Sequence, residues 1–246
     1  MAKDWDSSET WYTSCVGEKG HHYHQTVILP NSLRLIGKVS SLLDLGCGQG
    51  VLARQLSKEV AYWGVDLSKE LIASAKRMTP GAHFVVGDVS QKLPVEKRDF
   101  EAASFILSLQ NIEHGSEAIQ MAATHLQKGG KLLIVLNHPC FRIPRQSGWG
   151  IDEQMKLQYR RVNGYLSAQK IPIQTHPSQK SDSPVTFSYH HPLSDYAKWL
   201  EEAGCKIGKL EEWGSDKKSE GARAKMEDRA RREIPLFLSI LATKEE

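Results

Sequence analysis

Long apolar runs are missing from this chain. The opening MAKDWDSSETW is polar and charged, and no later stretch could span a bilayer, so neither a signal peptide nor a membrane insertion is expected. Paired cysteines are missing too. Cys15, Cys47, Cys140 and Cys205 are scattered with no CxxC, which disfavours a cysteine-built zinc site and suits reduced thiols in a cytoplasm. The histidines of EKGHHYHQ (His21, His22 and His24) have no carboxylate or cysteine pattern beside them, so no metal site is expected there either. A concentrated basic stripe is absent. The net charge is +3 and the pI about 8.6, a balance that permits a nucleic-acid partner without arguing for one. No internal repeat or low-complexity segment interrupts the 246 residues, of which 40% are hydrophobic and 25% charged, as in an ordinary globular protein with a sizeable core.

What is present is an alternation. Apolar runs at Leu42–Leu45, AYWGVDLS, AHFVVGD, DFEAASFILSL and GGKLLIVLNH are separated by helical patterns, expected over Val51–Lys58, Lys69–Met78 and around Ser116–Leu126. Strand–helix alternation of this kind predicts a parallel sheet covered by helices, joined by right-handed crossovers. From about 139 to 191 the rhythm stops, and a segment rich in polar, aromatic, Pro and Gly residues reads as an inserted lid. Rhythm then returns. PLSDYAKWLEEAG is expected to be a helix with Ser194 as its N-cap and Gly204 at its C-terminus, followed by strands at CKIGKLEEW and IPLFLSILATKE. The mixed-sign stretch between those strands reads as a solvated helix or loop. The expected organisation is therefore a cap segment at 1–40, a core at 41–138, the lid at 139–191 and the end of the core at 192–246.

The informative stretch is SSLLDLGCGQGVLARQLSKEV, where Gly46, Gly48 and Gly50 alternate between a strand and a helical pattern. Glycine there lets a ligand approach the main chain. The dinucleotide fingerprint G-x-G-x-x-G fits poorly, because its third glycine falls on Val51.

With its neighbours, LLDLGCGQG resembles the first motif of class I S-adenosylmethionine-dependent methyltransferases, of the small-molecule type. GVDLS, ending in Asp66 twenty positions after Gly46, GDVSQKLP with Asp88, and LQKGGKLLIV fall in the family's order. The resemblance implies a Rossmann-like seven-stranded α/β fold, its last strand antiparallel between its neighbours, with an N-terminal helical cap and the inserted lid. It implies S-adenosylmethionine as cofactor and S-adenosylhomocysteine as product. By the same resemblance, Asp44 stands near the methionine amino group, directly or through water, and Gly46, Cys47 and Gly48 meet the methionine part and ribose. Asp66 takes the ribose hydroxyls, Leu67 and Val89 sandwich adenine, Asp88 faces its amino group, and Phe105 offers backbone.

For the acceptor, Tyr23 and His24 resemble a Tyr-His pair of related small-molecule methyltransferases. Asn137 and His138 close the fifth strand and are expected to open toward the acceptor, with Phe141 and Arg142 beyond them. FSYHHPLSDY resembles an HRPLS element, which puts His190 on its histidine and His191 where arginine is common. His24, His138 and His190 are the candidate bases. For His190 a bond to lid backbone is an equally good expectation. A small-molecule acceptor is the expected partner. The fourth strand lacks the NPPY or DPPY ending of DNA amino-methylation, which does not exclude ribose or tRNA targets. Methyl transfer to RNA or protein, a non-catalytic cofactor-binding module and aminopropyl transfer are the alternatives.

Overall fold

A computed structural model describes residues 20–174 and 185–245. Cys15, Pro177, Pro184, most of the cap segment's first half and the middle of the lid lie outside the described residues. The central sheet has seven strands: β1 (Ser41–Leu45), β2 (Ala61–Asp66), β3 (His83–Val86), β4 (Phe100–Ile106), β5 (Leu126–Asn137), β10 (Cys205–Trp213) and β11 (Phe237–Lys244), in the order β10-β11-β5-β4-β1-β2-β3. Pairings from β5 through β3 are parallel, and β11 runs antiparallel to both β5 and β10. This is the expected Rossmann-like methyltransferase topology.

The sheet is held from both faces. On one side Leu43, Leu45, Phe105 and Ile134 pack with α3 (Gly115–His125) and α4 (Leu193–Glu202). On the other, Leu42, Tyr62, Phe84 and Leu133 pack with α1 (Leu29–Ile36) and α2 (Lys69–Met78). Each fully buried Leu, Ile or Phe of these strands contributes on the order of 1.5–3 kcal/mol. Helix α2 has the bounds its pattern predicts. Its N-cap Ser68 accepts from the Leu71 N–H, Glu70 sits in the positive first turn, and Lys76 and Arg77 sit in the last.

Two local expectations fail. The helix at Val51–Lys58 is replaced by turns and a short 3-10 stretch, Ala53–Gln55. The six residues between Gly50 and Ser57 are too few to offset the cost of helix nucleation. Val51, Leu52 and Ala53 bury their side chains without it. In α4 the N-cap is Pro192, not Ser194. The Leu193 N–H, unpaired within the helix, donates to the Tyr165 hydroxyl of the lid at 3.0 Å.

The lid segment carries two antiparallel hairpins, β6 (Ser147–Asp152) with β7 (Leu157–Val162) and β8 (Gln169–Gln174) with β9 (Val185–His190). The mixed-sign stretch forms α5 (Ala224–Glu233), largely exposed, with Ala230 its buried residue. No helix among the described residues is long and apolar enough to cross a membrane.

Candidate functional site

The ends of β1, β2, β3 and β4 open on one cleft of about 430 Å³, a size that suits a small ligand. Its first half comes from the glycine turn and the ends of β2 and β3: Gly46, Gly48, Asp66, Leu67, Asp88 and Val89. The turn is tied down by main-chain bonds, Gly46 and Cys47 N–H both donating to the Val65 carbonyl at 2.8 and 3.0 Å. Gly46 has φ +71°, and a Cβ on it would stand 2.4 Å from the Ser108 Cβ. Glycine is thus required by both the backbone angle and the approach of the β4 end.

Asp66 is held at the cleft by the N–H groups of Gly48 and Ser68, at 2.8 and 2.9 Å. A carboxylate has about four lone-pair sites, so one fixed here suits a vicinal diol. Asp88 Oδ1 accepts from the N–H and hydroxyl of Ser90, at 2.9 and 2.6 Å. The remainder of its carboxylate, on the cleft wall beside apolar Val89, suits an amino group on a flat base. Diol acceptor, amine acceptor, apolar clamp and glycine turn fit an adenosyl cofactor.

Three residues expected to touch the cofactor are placed elsewhere. The Asp44 carboxylate is buried within the sheet, taking hydrogen bonds from Tyr62 at 2.7 Å and Ser104 at 2.8 Å, and does not line the cleft. Burial raises its pKa to about 6, against the pull of those two hydroxyls. Cys47 turns its thiol into the apolar cluster around Phe84, and its N–H already serves Val65. Phe105 is fully buried by strand alternation; the cleft is met by the next residues, Ile106, Leu107 and Ser108. Leu107 has φ +56°, uncommon for a residue other than glycine, at the turn where β4 meets the cleft.

The second half of the cleft is walled by His21 and His24, by Gln110, Ile112 and Glu113 after β4, by Asn137, and by Lys170, Thr186, Phe187 and Tyr189 of the β8–β9 hairpin. His24 opens a π-helical turn, His24–Ile28, a distortion frequent at functional sites. Its ring is buried, Nδ1 has no partner, and burial, with the nearby His21, lowers its pKa to about 4. It is therefore a neutral imidazole at pH 7. Asn137 faces the cleft with its Oδ1 fixed by Arg142 at 2.8 Å.

The other acceptor candidates do not line this cleft. His138 accepts the Cys140 N–H on Nδ1 and donates from Nε2 to Glu212 at 2.7 Å, which occupies both ring nitrogens. His190 donates from Nε2 to the Tyr165 carbonyl at 2.8 Å, a tie to lid backbone. The Tyr23 hydroxyl bonds Ser215, Phe141 packs on His138, and Arg142 lies over Phe237. Sequence reasoning missed Leu107, Gln110, Glu113, Lys170, Phe187 and Tyr189. Leu107, Gln110 and Glu113 were signalled only by position just past the β4 pattern, Phe187 and Tyr189 only by the alternation of VTFSYH, and Lys170 of QKIPIQ by nothing. Among the described residues no cluster of three or more His, Cys, Asp or Glu could hold a metal ion.

A family model described as a methyltransferase domain matches residues 43–134, the span of β1 through most of β5 that carries the turn, Asp66 and Asp88. Over those residues the chain is similar to a methyltransferase domain, and its seven-stranded fold is that of the class I S-adenosylmethionine-dependent methyltransferases. The chain is 29% identical over 211 residues to a ubiquinone biosynthesis O-methyltransferase of Coxiella burnetii, covering 79% of this chain and 87% of that protein. It is 28% identical over 107 residues to the mouse 18S rRNA (guanine-N(7))-methyltransferase, covering 42% of this chain and 38% of that one. It spans less than two thirds of the length of several curated relatives it matches. In fold it is similar to an S-adenosylmethionine-dependent methyltransferase of Mesorhizobium loti, with a TM-score of 0.68, 22% identity, and coverage of 89% and 98% of the two chains.

Proposed function

We propose that this protein transfers a methyl group from S-adenosylmethionine to a small molecule enclosed beneath the β8–β9 hairpin, releasing S-adenosylhomocysteine. The observation that carries this reading is one cleft with two unlike halves: Asp66, Asp88 and the glycine turn on one side, His24 and the lid on the other. The relatedness along most of the chain to a small-molecule O-methyltransferase supports it. A macromolecular acceptor would have to reach past the hairpin, whose Lys170 and Tyr189 are tied to Glu113 on the core side.

When bound, the cofactor supplies a methyl group on a sulfonium that needs no further activation. Asp66 would hold the ribose hydroxyls, Leu67 and Val89 would clamp adenine, Asp88 would receive its amino group, and Gly46 and Gly48 would let the main chain close on the ligand. The lid and the His21–His24 segment exclude water and fix the acceptor; such positioning can supply on the order of 7–11 kcal/mol of a barrier. His24, a neutral imidazole in the acceptor half, is the candidate base for a hydroxyl or amine nucleophile, a weak one because its burial disfavours the charged form.

Calorimetry with S-adenosylhomocysteine tests the cofactor assignment. The wild type should bind it, NAD should not bind, and Asp66→Ala should weaken binding about 10- to 100-fold, the worth of hydrogen bonds to a charged group. A folded wild type that binds neither compound would falsify the reading.

A further inference from the structure

Buried polar atoms without partners are rare in native proteins, and two of them belong to residues of this one cleft: Nδ1 of His24 and Oε1 of Gln110. Both side chains are more than nine-tenths buried, at 7% and 9% exposure. The Gln110 amide is oriented by its other end. Nε2 donates to the Leu107 carbonyl at 3.0 Å, and Asn111 donates to the same carbonyl at 3.3 Å. That carbonyl belongs to the residue with the left-handed backbone at the end of β4. Oε1 is thereby left as a buried acceptor without a partner on a residue that lines the cleft, and an amide oxygen can only accept.

The surroundings narrow what could donate to it. Ile112, two residues after Gln110, lines the same cleft, as do Phe187 and Tyr189 of the lid. The charges of this half are already engaged: Lys170 pairs with Glu113 at 3.0 Å and lies over the rings of Phe187 and Tyr189. A chamber with flat aromatic walls, paired charges and an unanswered acceptor matches an uncharged ring that carries a hydroxyl.

We propose that Gln110 is a specificity-determining residue that accepts a hydrogen bond from a hydroxyl of a neutral aromatic acceptor lying against Phe187 and Tyr189. The inference rests on the methyl-transfer reading only for the word acceptor; the recognition itself is a binding property. A hydrogen-bond donor could also come from the ammonium of the cofactor's amino-acid part, and the experiment separates the two sources.

The probes are phenol and toluene, alike in shape and different by one donor, titrated by ligand-observed NMR with and without saturating S-adenosylhomocysteine. Wild type should bind phenol about 5- to 10-fold more tightly than toluene, the worth of one neutral hydrogen bond. The Gln110 side-chain amide resonance should shift with phenol alone. Gln110→Met, which keeps the length and loses the acceptor, should bind both equally with unaltered S-adenosylhomocysteine affinity; the amide shift in wild type judges the proposal even if this variant fails to fold. Equal binding by wild type, no binding of either probe, or a phenol preference that survives in the variant overturns it. So does a loss of S-adenosylhomocysteine affinity in Gln110→Met, which assigns the oxygen to the cofactor. Absence of S-adenosylhomocysteine binding by wild type defeats the proposed function instead, and phenol against toluene on the unloaded protein still decides the role of Gln110.

Discussion

The two halves of the cleft are built by different means. The cofactor half is made where consecutive parallel strands end, so each functional residue sits beside its neighbour in the sheet: Gly46 just past β1, Asp66 closing β2, Asp88 just past β3. The acceptor half is assembled from segments far apart in the chain, with His24 before the first strand, Gln110 after the fourth, and Lys170, Phe187 and Tyr189 on a hairpin inserted after the fifth. The first depends on main-chain geometry, the second on side chains meeting across long loops. A strand-end site tolerates change elsewhere and fails abruptly when its turn is altered, whereas an assembled site is adjustable residue by residue.

The sharpest break of this comparison is Gly46→Ala. It should cost about 3–5 kcal/mol of stability, combining the left-handed angle with the clash on Ser108. Gly81→Ala is the control, with φ +97° and nothing within 4 Å of its Cβ; it should cost only the backbone part, about 1–2 kcal/mol. Urea unfolding of the pair measures the difference. Equal costs would mean that the Ser108 approach is relaxed and the turn is not a close fit.

The same contrast explains what could be read in advance. The strand ends at Asp66 and near Asp88, helix Lys69–Met78 and strand Cys205–Trp213 were legible because local pattern and global topology agree there, while the antiparallel direction of β11 was implied only by the family resemblance. The turns after Gly50, where a helix was expected, were not legible because apolar side chains can be buried by turns as well as by helix. Asp44 misled because an acidic residue beside a ligand turn looks the same in sequence whether it faces the ligand or Tyr62. His138 misled in a similar way, whereas His190 makes the bond to lid backbone that was one of its two expectations. A strand-end histidine opens toward a cleft unless a distant partner, here Glu212 or the Tyr165 carbonyl, claims it, and neither partner is signalled nearby in the sequence.

The halves also differ in how they respond to pH. Asp44 beside the cofactor half has its pKa raised from 3.8 to about 6 by burial, with Tyr62 and Ser104 opposing and Asp66 adding to the rise. Its contribution to stability is present below pH 3.8 and is lost as pH rises through 6. His24 in the acceptor half is lowered from 6.5 to about 4 by burial, then by His21, so its contribution is present above pH 6.5 and is lost as pH falls toward 4. Between roughly pH 4.5 and 6 the two slopes oppose each other, each about 1.4 kcal/mol per pH unit at most. Relative to wild type, Asp44→Asn should therefore gain stability as pH rises across that window, and His24→Asn should lose it. Urea midpoints at several pH values read both signs. Parallel profiles for the two variants would show that neither group is shifted as its burial requires.

The smallest expected effect lies at the lid. Lys170 and the Tyr189 hydroxyl meet the two Glu113 oxygens at 3.0 and 3.2 Å, joining the β8–β9 hairpin to the segment before α3. The pair is solvent-exposed, so Lys170→Met should leave global stability nearly unaltered. It should also leave S-adenosylhomocysteine affinity unaltered, because the tie joins Lys170 and Tyr189 to Glu113, all of the acceptor half. The change belongs to the hairpin: amide hydrogen exchange should quicken along β8 and β9 and stay as it was in β1, β2 and β3. Faster exchange in both regions would mean that the lid and the strand-end site open as one unit. The halves would then be coupled through Glu113 and the β4 end rather than independent, and the assembled half could not be adjusted without disturbing the turn that holds the cofactor.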